Sequence, residues 1–289
     1  MLPQKVLHLH IEESKKKPNI DHTYIISSKI DGWYVYADYI NGEWSNFHSR
    51  VCREIPSLRW AKHQLNLLPK PNFNCRIIAE AVIPGLDFHT ANGRFNRTLD
   101  NYEEREVVFY FHDIINLDTY WKNQPENYAW NRYNTLFDLE LNSYTGLFQQ
   151  HPILATSSDK KMWLYLAEEV WSNDGEGVVL KRADSIYQPD KKNSSLMKIK
   201  LEAEFDLLVI DYFSSIGEKG NLAWNMKLQD KSGTEVNVRV GKDSDIAEFA
   251  INNPIGKVCQ IKCMKKLPDS YREPRFFSIR YDKLPKDID

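Results

Sequence analysis

The stretch Ser27-Ser28-Lys29-Ile30-Asp31-Gly32 is the part of the sequence around which the rest of the chain can be organised. Residues that favour β-strands flank it on both sides. The spacing predicts that Lys29 and Asp31 share one face of a strand, and that Gly32 allows a tight reversal or a close backbone approach by a ligand. A lysine amine acts as a covalent nucleophile when its surroundings lower its pKa. The stretch therefore nominates Lys29 as a nucleophile, although a merely solvated strand lysine would have the same local sequence.

Length and composition set the broad class of the protein. A chain of 289 residues predicts two domains, and 42% hydrophobic with 12% aromatic residues is enough for a real core. Residues 1–20 contain no long apolar run, and no segment is apolar enough to span a bilayer. The four cysteines show no ligand-like spacing and are expected to be reduced. These features predict a cytoplasmic protein without a membrane partner.

Charge is distributed unevenly along the chain. The net charge of −2 argues against a uniformly basic nucleic-acid-binding protein. Residues 257–286, however, contain nine Lys or Arg against three Asp or Glu. A local basic surface can bind phosphates whatever the total charge. On charge alone, a solvated basic edge explains the same run equally well.

The first part of the chain mixes strands and helices. Asn41-Gly42 is a strong hairpin signal that returns residues 47–50 alongside the strand carrying Lys29. Pro56 to Leu68 reads as a helix, and residues 116–175 are expected to be mainly helical. Further strands are predicted at 76–83, 106–115, 175–181 and 196–200.

The character of the sequence changes from Glu204 onward. Short alternating segments predict five strands at 205–212, 222–228, 235–240, 257–264 and 276–281, with a helix at 243–251. Five short strands in so few residues suit a small barrel of the oligonucleotide-binding (OB) type. The predicted domains are residues 1–203 and 204–289.

Several polar residues lie on or beside the predicted hydrophobic strands. Each has an ordinary structural explanation by itself, such as a turn acid or a solvated strand face. Together, converging cations suit a triphosphate, carboxylates suit ribose hydroxyls and Mg²⁺, and an aromatic ring suits a nucleobase. The set is Lys29, Arg50, Glu80, Phe111, Glu176, Lys181, Lys198 and Lys200.

In this order the residues resemble the motifs of the ATP-dependent DNA ligases, a family of covalent nucleotidyltransferases. Lys29 to Gly32 is similar to the nucleophile motif, and the other matching strings are Ser49-Arg50, Ala79-Glu80, Phe109 to Asp113, Glu176 to Lys181 and Lys198 to Lys200. The run Arg272 to Lys283 resembles the closing motif that separates DNA ligases from their relatives. Pro84 to Gly93 with Arg97-Thr98 is similar to small bacteriophage ligases.

The resemblance implies an α+β fold of two domains. The first would be an adenylyltransferase domain of ATP-grasp-like antiparallel sheets with helices, and the second a small OB-fold β-barrel. It also implies a monomeric ligase that seals nicks in duplex DNA, bound through its phosphates, in replication, repair or recombination. A virus-encoded enzyme acting in the host cytoplasm is one version of this expectation.

The resemblance also implies roles for individual residues. Lys29 would form lysyl-AMP from ATP, with Mg²⁺ or alternatively Mn²⁺ present. Asp31, Lys198 and Lys200 would take part in catalysis, and Glu80 and Glu176 would hold metal. The expected nucleotide contacts are Lys29, Arg50, Glu80, Phe111, Glu176, Lys181, Lys198, Lys200, Arg275, Arg280, Asp282 and Lys283.

Two positions depart from many members of the family. Ser27 stands where many have an acid, and Trp33-Tyr34 where many have an arginine. An RNA ligase or a capping guanylyltransferase would also keep Lys29, and the closing motif argues against both. A non-catalytic nucleic-acid-binding protein that uses only the barrel is the remaining alternative.

Overall fold

The computed structural model describes residues 2–9, 22–86, 88–96, 106–122, 128–139, 141, 146–216 and 222–289. The chain separates into two compact units, residues 1–200 and 201–289. Both units are built mainly of antiparallel strands with short helices, which confirms the predicted α+β class. Asp87, Arg97 and Thr98, from the run similar to bacteriophage ligases, lie outside the described residues, as does most of the lead-in before His22.

The first sheet of unit 1 brings together strands from distant parts of the sequence. Its strands are β1 (Lys5–His8), β2 (Tyr24–Ser28), β9 (Ile153–Ser157), β10 (Gly177–Arg182) and β11 (Lys192–Lys200). They lie in the order β1-β11-β10-β2-β9, and only the β1–β11 pair among these described strands is parallel. The strand that ends before Lys29 therefore lies beside the one that follows Glu176.

The second sheet of unit 1 contains the remaining strands of that unit. They are β3 (Trp33–Ile40), β4 (Glu43–Trp44), β5 (His48–Ser49), β6 (Cys75–Val82), β7 (Val108–Asn116) and β8 (Phe148–Gln150). Their order is β4-β3-β6-β7-β8, with β5 also paired to β3. The hairpin predicted at Asn41-Gly42 is confirmed, because both residues have positive φ and join β3 to β4.

Short helices cover these two sheets. They are α1 (Ala61–Leu65), α2 (Phe88–Phe95), α3 (Leu117–Trp121), α4 (Ala129–Asp138) and α5 (Lys160–Ser172), and a 3₁₀ turn covers Pro56–Leu58. The helix predicted over 56–68 is therefore broken into a 3₁₀ turn and one short α-helix. Residues 116–175 are also less helical than predicted, since they include β8 and β9.

Lys29 to Gly32 form the link between the two sheets. Because β2 ends at Ser28 and β3 begins at Trp33, the prediction that Lys29 and Asp31 share a strand face is wrong. The backbone N–H of Lys29 donates to the carbonyl of Gly177 at 2.7 Å, which ties the link to β10. β5 accordingly lies beside β3, the strand after the nucleophile stretch, and not beside β2.

Gly32 is needed for a close approach to the second sheet. A Cβ at this position would lie 2.8 Å from the carbonyl oxygen of Ala81 in β6. The close approach at Gly32 is therefore to the chain itself, whereas the sequence suggests a ligand as the partner. The two ends of the link are thus held against β10 and β6.

Unit 2 is a small barrel with its own core. Its strands are β12 (Ala203–Ile216), β13 (Leu222–Gln229), β14 (Glu235–Val240), β15 (Val258–Cys263) and β18 (Arg275–Arg280), in the order β14-β13-β12-β15-β18. β14 also approaches β18, as expected for an OB-type barrel. A hairpin of β16 (Lys265–Lys266) and β17 (Tyr271–Arg272), the helix α6 (Asp243–Ile251) and a 3₁₀ turn (Pro285–Asp287) complete the unit.

Two further features follow from the described residues. None of the four cysteines forms a disulfide, and three of them, Cys75, Cys259 and Cys263, are buried among apolar side chains. In the parts of the chain that the structure covers, no helix is long and apolar enough to cross a membrane.

Candidate functional site

The main cavity of unit 1 has a volume of about 430 Å³. One wall comes from β2, β10 and β11, where Ser27, Val179 and Lys198 lie side by side in the strand register. The facing wall includes Glu80 of β6 and His112 of β7. The cavity therefore lies between the two sheets that the Lys29 link connects.

Lys29 reaches into this cavity and makes an ion pair. Its Nζ donates to Oε2 of Glu176 at 2.5 Å, and the carboxylate is buried. A buried carboxylate needs a charged or hydrogen-bonding partner, and the lysine supplies one. The predicted nucleophile and the predicted acid from the sequence 147 residues later are thus in direct contact.

The end of α5 places Glu176 at this position. The helix buries Trp163 against Tyr24 of β2, with ring centroids 5.0 Å apart. Past its end, the N–H of Gly175 donates to the carbonyl of Val170 at 2.8 Å, which turns the chain sharply. The backbone carbonyl of Glu176 then accepts a hydrogen bond from the indole of Trp171.

Glu80 lies in the same charged group. Burial raises its pKa to about 8, and the positive charges of Lys29 and Arg50 only partly oppose this effect. Near neutral pH the carboxyl is therefore mostly protonated in the ligand-free chain, and it can donate a hydrogen bond as well as accept one.

Arg50 enters the cavity from the end of β5. The guanidinium carbon lies 4.7 Å from the centroid of the Tyr34 ring, so the cation stacks on the aromatic face. Both side chains line the cavity together with Glu80.

Lys181 belongs to a buried charge cluster on the cavity wall. Its Nζ donates to the carbonyl of His112 at 2.7 Å and to Oδ2 of Asp113 at 2.9 Å. Arg132 of α4 donates to Oδ1 of the same aspartate at 2.7 Å. Although burial favours the neutral acid, Arg132 and Lys181 hold the pKa of Asp113 well below its usual range. The cluster fixes β10, β7 and α4 around this side of the cavity.

The structure does not place Phe111 in the cavity. Its ring is fully buried among Phe109 and Phe148 in the core of the second sheet. The neighbouring His112 lines the cavity instead. Burial lowers the pKa of His112 to about 3, so the ring is neutral. Phe111 was expected to contact the nucleotide, but its ring does not line the cavity. His112 is the residue of this motif whose ring does.

A β-bulge lies at this point of β7 and lets both His112 and Asp113 line the cavity. Asp113 pairs with Ile78 and Phe111 with Ala79, which leaves His112 as the extra residue on β7. A bulge turns a side chain away from the regular alternation of the strand. Alternation alone could indicate that Phe109 and Phe111 share a face, but not where the strand gains its extra residue.

Three other cavity residues were not expected from the sequence: Tyr34, His151 and Tyr187. His151 Nε2 lies 3.2 Å from the Ser28 hydroxyl, and burial lowers its pKa to about 4. His151 follows β8, in a region where helix was predicted, so nothing local to the sequence signalled it. Tyr187 lies in a loop after β10, where only its aromatic character is visible.

Two predicted catalytic residues lie outside the lining of the main cavity. Lys200 is buried at the end of β11, directly opposite Gly177 in the register. Asp31 lines a smaller recess with Gly32 and Trp33, and its negative charge contributes to the raised pKa of Glu80. Both are thus neighbours of the Lys29 region without facing the cavity that holds Arg50, Lys181 and Lys198.

The four predicted nucleotide contacts of unit 2 make carboxylate contacts within that unit. Arg280 donates to both oxygens of Asp282, at 2.9 Å and 2.6 Å. Lys283 contacts the buried Asp206, and Arg275 contacts Glu202. These cations are therefore held in place by acids of the barrel.

Mg²⁺ would have few protein ligands here. The described residues contain no group of three or more His, Cys, Asp or Glu side chains suited to holding a metal. Glu80 and Glu176, however, are close enough for the charge of one to raise the pKa of the other. Because Mg²⁺ is commonly held by one or two carboxylates with substrate phosphates, this pair fits such a site.

Comparisons with known proteins agree with this architecture. Residues 2–200 match the family model of the ATP-dependent DNA ligase domain. The chain is similar to a structure from an analysis of Lig E DNA ligases, with 18% identity, a TM-score of 0.72, and 96% of this chain and 99% of that chain covered. A comparison with curated proteins finds no match.

Two further solved structures are similar over nearly their whole length. The ATP complex of the bacteriophage T7 DNA ligase has 19% identity and a TM-score of 0.58, with 96% of this chain and 98% of that chain covered. Mycobacterial DNA ligase D with ATP has 17% identity and a TM-score of 0.52, with 100% of this chain and 97% of that chain covered. At such identities these structures show the shared fold, an adenylyltransferase domain followed by an OB-fold domain.

Proposed function

This chain belongs to the family of ATP-dependent DNA ligases, and from that premise we propose that Lys29 is the nucleophile through which it joins DNA strands. The contact between Lys29 Nζ and the buried Glu176 is the observation that carries the proposal. It places Lys29 beside a buried carboxylate at the edge of a cavity that also holds Arg50 and Lys198. Cations around a phosphate stabilise the charge that develops during its transfer.

The first step consumes ATP. Lys29 loses a proton to solvent, which breaks its ion pair with Glu176, and the neutral amine attacks the α-phosphate. A nitrogen–phosphorus bond forms as the phosphorus–oxygen bond to pyrophosphate breaks, and the nitrogen releases a second proton to solvent to give the lysyl-AMP phosphoramidate. Splitting one difficult transfer into easier ones is the usual advantage of a covalent intermediate.

The next two steps act on DNA. The AMP group passes from Lys29 to the 5′-phosphate at a nick, and the nitrogen–phosphorus bond breaks. The 3′-hydroxyl of the nick then attacks the same 5′-phosphate, forms the phosphodiester bond and releases AMP. In this proposal Asp31 assists the 3′-hydroxyl. Nick sealing of this kind serves replication, repair or recombination.

Different residues of the cavity walls are assigned to different parts of the nucleotide. We assign Glu80 to the ribose hydroxyls, because its protonated carboxyl can both donate and accept. His112 replaces Phe111 as the ring that packs on the base, since a neutral imidazole presents an uncharged aromatic face. Lys181 uses two of its three N–H donors on His112 and Asp113, and the third is assigned to the base.

The cations near Lys29 are assigned to phosphate. Arg50 contacts the AMP phosphate and later the nick phosphate, while Lys198 and the buried Lys200 support the α-phosphate. Glu176, together with Glu80 when its carboxyl is ionised, would hold Mg²⁺, or alternatively Mn²⁺, with phosphate oxygens completing the ligand set. The ion, when bound, would neutralise negative charge on the phosphates.

Unit 2 has two proposed tasks. Arg275, Arg280, Asp282 and Lys283 orient the pyrophosphate in the first step only. The basic run at 257–286 binds nicked duplex DNA through its phosphates without reading sequence. We propose that the chain acts as a monomer in the cytoplasm, consistent with its four cysteines forming no disulfide.

The decisive experiment follows one labelled phosphate. Purified AMP-free protein is incubated with α-labelled ATP and Mg²⁺ and is then given unlabelled nicked duplex DNA. We expect label to bind the protein and to leave it as the nick is sealed. Lys29→Ala should abolish labelling, and Lys70→Ala, at an exposed lysine outside the site, should label normally.

Each other outcome would show which part of the proposed function is wrong. Labelling that survives in Lys29→Ala would move the nucleophile to another residue. Label that stays on the protein in the presence of nicked DNA but transfers to nicked RNA would point to an RNA ligase. Labelling by GTP in place of ATP would point to capping-type chemistry.

A further inference from the structure

Arg50 and Arg76 differ in how the chain holds them, although each guanidinium stacks on a tyrosine of β3. Arg76 lies 3.7 Å from the ring centroid of Tyr36 and also donates to both oxygens of Asp38, at 2.7 Å and 2.8 Å. Arg50 lies 4.7 Å from the ring centroid of Tyr34. Among the residues that the structure describes, no carboxylate forms an ion pair with Arg50.

This difference decides which charge remains available to a ligand. The carboxylate of Asp38 neutralises Arg76, and that side chain lies outside the cavity lining. An aromatic face attracts a guanidinium without neutralising it. Arg50 therefore keeps its full positive charge in the cavity, where a phosphate does not have to displace an acid in order to bind.

The register of the second sheet brings Arg50 to Tyr34. Val35 pairs with Ser49 and Tyr36 with His48, so the next position places Arg50 opposite Tyr34. The preceding cross-strand pair is also in contact, because the rings of His48 and Tyr36 stack at 5.3 Å. Side chains directly opposite on neighbouring strands interact in this way.

The Tyr34 ring is itself held from behind. Tyr187 belongs to the cluster behind this ring, and its hydroxyl accepts the backbone N–H of Gln4 at 2.9 Å. The ring packs partly buried against the small cluster of Tyr36, Ile78, Ile115 and Tyr187. A fixed ring can restrain a long, otherwise exposed arginine side chain.

We propose that Tyr34 is the positioning residue for Arg50, holding its un-neutralised guanidinium toward the phosphate that Lys29 attacks. Tyr34 acts through Arg50 and does not itself touch the reacting atoms. This inference rests on the proposed function, because it needs Lys29 and Arg50 to serve nucleotidyl transfer.

A double-mutant cycle tests this dependence. Single-turnover rates of adenylylation by ATP are measured for the wild type, Tyr34→Leu, Arg50→Ala and the double variant. A contact of this kind predicts that Tyr34→Leu alone slows adenylylation about fivefold. It also predicts that Tyr34→Leu adds nothing once Arg50 has been replaced, because residues that act as one unit are not additive.

The Tyr36 and Arg76 pair supplies the matched control. Tyr36→Leu removes the same kind of ring from the same face of β3, but under an arginine outside the cavity. Any loss of adenylylation rate that Tyr36→Leu causes should be the same factor in the wild type and in Arg50→Ala. Losses for Tyr34→Leu and Arg50→Ala that multiply independently would overturn the inference, and so would an Arg50→Ala variant as fast as the wild type.

A second series separates charge attraction from shape, even if Tyr34→Leu folds poorly. Tyr34→Phe should recover most of the rate, since it keeps the aromatic face. Tyr34→trifluorophenylalanine has nearly the same shape but a less negative face, and it should be slower than Tyr34→Phe. Equal rates for these two variants would overturn the inference. A wild-type chain that takes no label would overturn the proposed function and this inference with it.

Discussion

Glu80 lies in the cavity wall with its pKa raised to about 8, chiefly by burial. In the unfolded chain a glutamate ionises near pH 4.3. Between these two values the unfolded state releases a proton that the folded state keeps, so the free energy of unfolding falls as pH rises. Below this window the carboxyl is protonated in both states, and above it the free energy of unfolding falls no further through this group.

Glu80→Gln should therefore stabilise the ligand-free protein in a pH-dependent way. We expect no difference from the wild type near pH 4 and a gain on the order of 4–5 kcal/mol at pH 8. Urea unfolding at both pH values measures it. The exposed Glu43→Gln is the control and should show no such trend. A gain that is the same at both pH values would contradict the assigned cause.

Neighbouring residues of β7 should respond differently to substitution. His112→Ala should weaken ATP binding about tenfold, the order of one lost ring–base contact, with little change in melting temperature. Phe111→Leu should lower the free energy of unfolding by about 1–3 kcal/mol and leave the affinity for ATP nearly unchanged. Equilibrium ATP binding and thermal unfolding of both variants provide the comparison. An exchange of the two effects would restore Phe111 as the base-facing ring.

These two residues also show where sequence reasoning stops. The motif around Phe109 to Asp113 could be located, and alternation along the strand indicated a buried aromatic face. The extra residue at His112 depends on how β7 pairs with β6. Pairing between strands is a tertiary property, which a local period cannot reveal.

At the scale of elements, Gly177 is the point where β10 must come closest to β11. Its φ is +140°, and a Cβ would lie 2.1 Å from the carbonyl oxygen of Ile199. The same residue accepts the hydrogen bond that ties Lys29 to β10. A side chain here would push the strands apart where Lys29 and Glu176 are held.

Gly177→Ala should therefore affect both stability and chemistry. We expect a loss of about 2 kcal/mol or more in the free energy of unfolding, together with slower adenylylation at temperatures where the variant remains folded. Gly241→Ala is the matched control, because its Cβ would meet open space and its φ is not positive. Thermal unfolding and single-turnover labelling measure the two effects. A Gly177→Ala variant as stable as Gly241→Ala would contradict the close approach.

Elements were predicted best where the signal is local. The Asn41-Gly42 hairpin and the strand that carries Glu80 were found from a few residues each. β8 and β9 were missed because they are short and β8 is completed by parallel pairing with β7, which lies distant in sequence. Lys29, Arg50, Glu80, Lys181 and Lys198 nevertheless meet in one cavity, because ordered motifs carry information that single elements do not.

At the scale of the whole molecule, the two units are expected to divide the reaction by step. Lys283 contacts the buried Asp206 of the barrel, and Lys227, a lysine of similar exposure, makes an ion pair with the exposed Glu235. Of these two lysines, only Lys283 serves the release of pyrophosphate in the proposed function. Pyrophosphate is released once, when ATP reacts. Sealing a nick that already carries AMP on its 5′-phosphate bypasses that event.

Lys283→Ala should consequently slow adenylylation by ATP at least tenfold, since loss of one charge-assisted contact costs on the order of 1.5–3 kcal/mol. The rate at which this variant seals a pre-adenylylated nick should stay within about twofold of the wild type. Lys227→Ala removes a cation of similar exposure from the same barrel and should leave both rates close to the wild type. Single-turnover assays on the two substrates give the ratio directly. Equal losses of both rates in Lys283→Ala would mean that this lysine supports the barrel or its grip on DNA. A selective loss of the first rate alone would place its role before DNA enters the reaction.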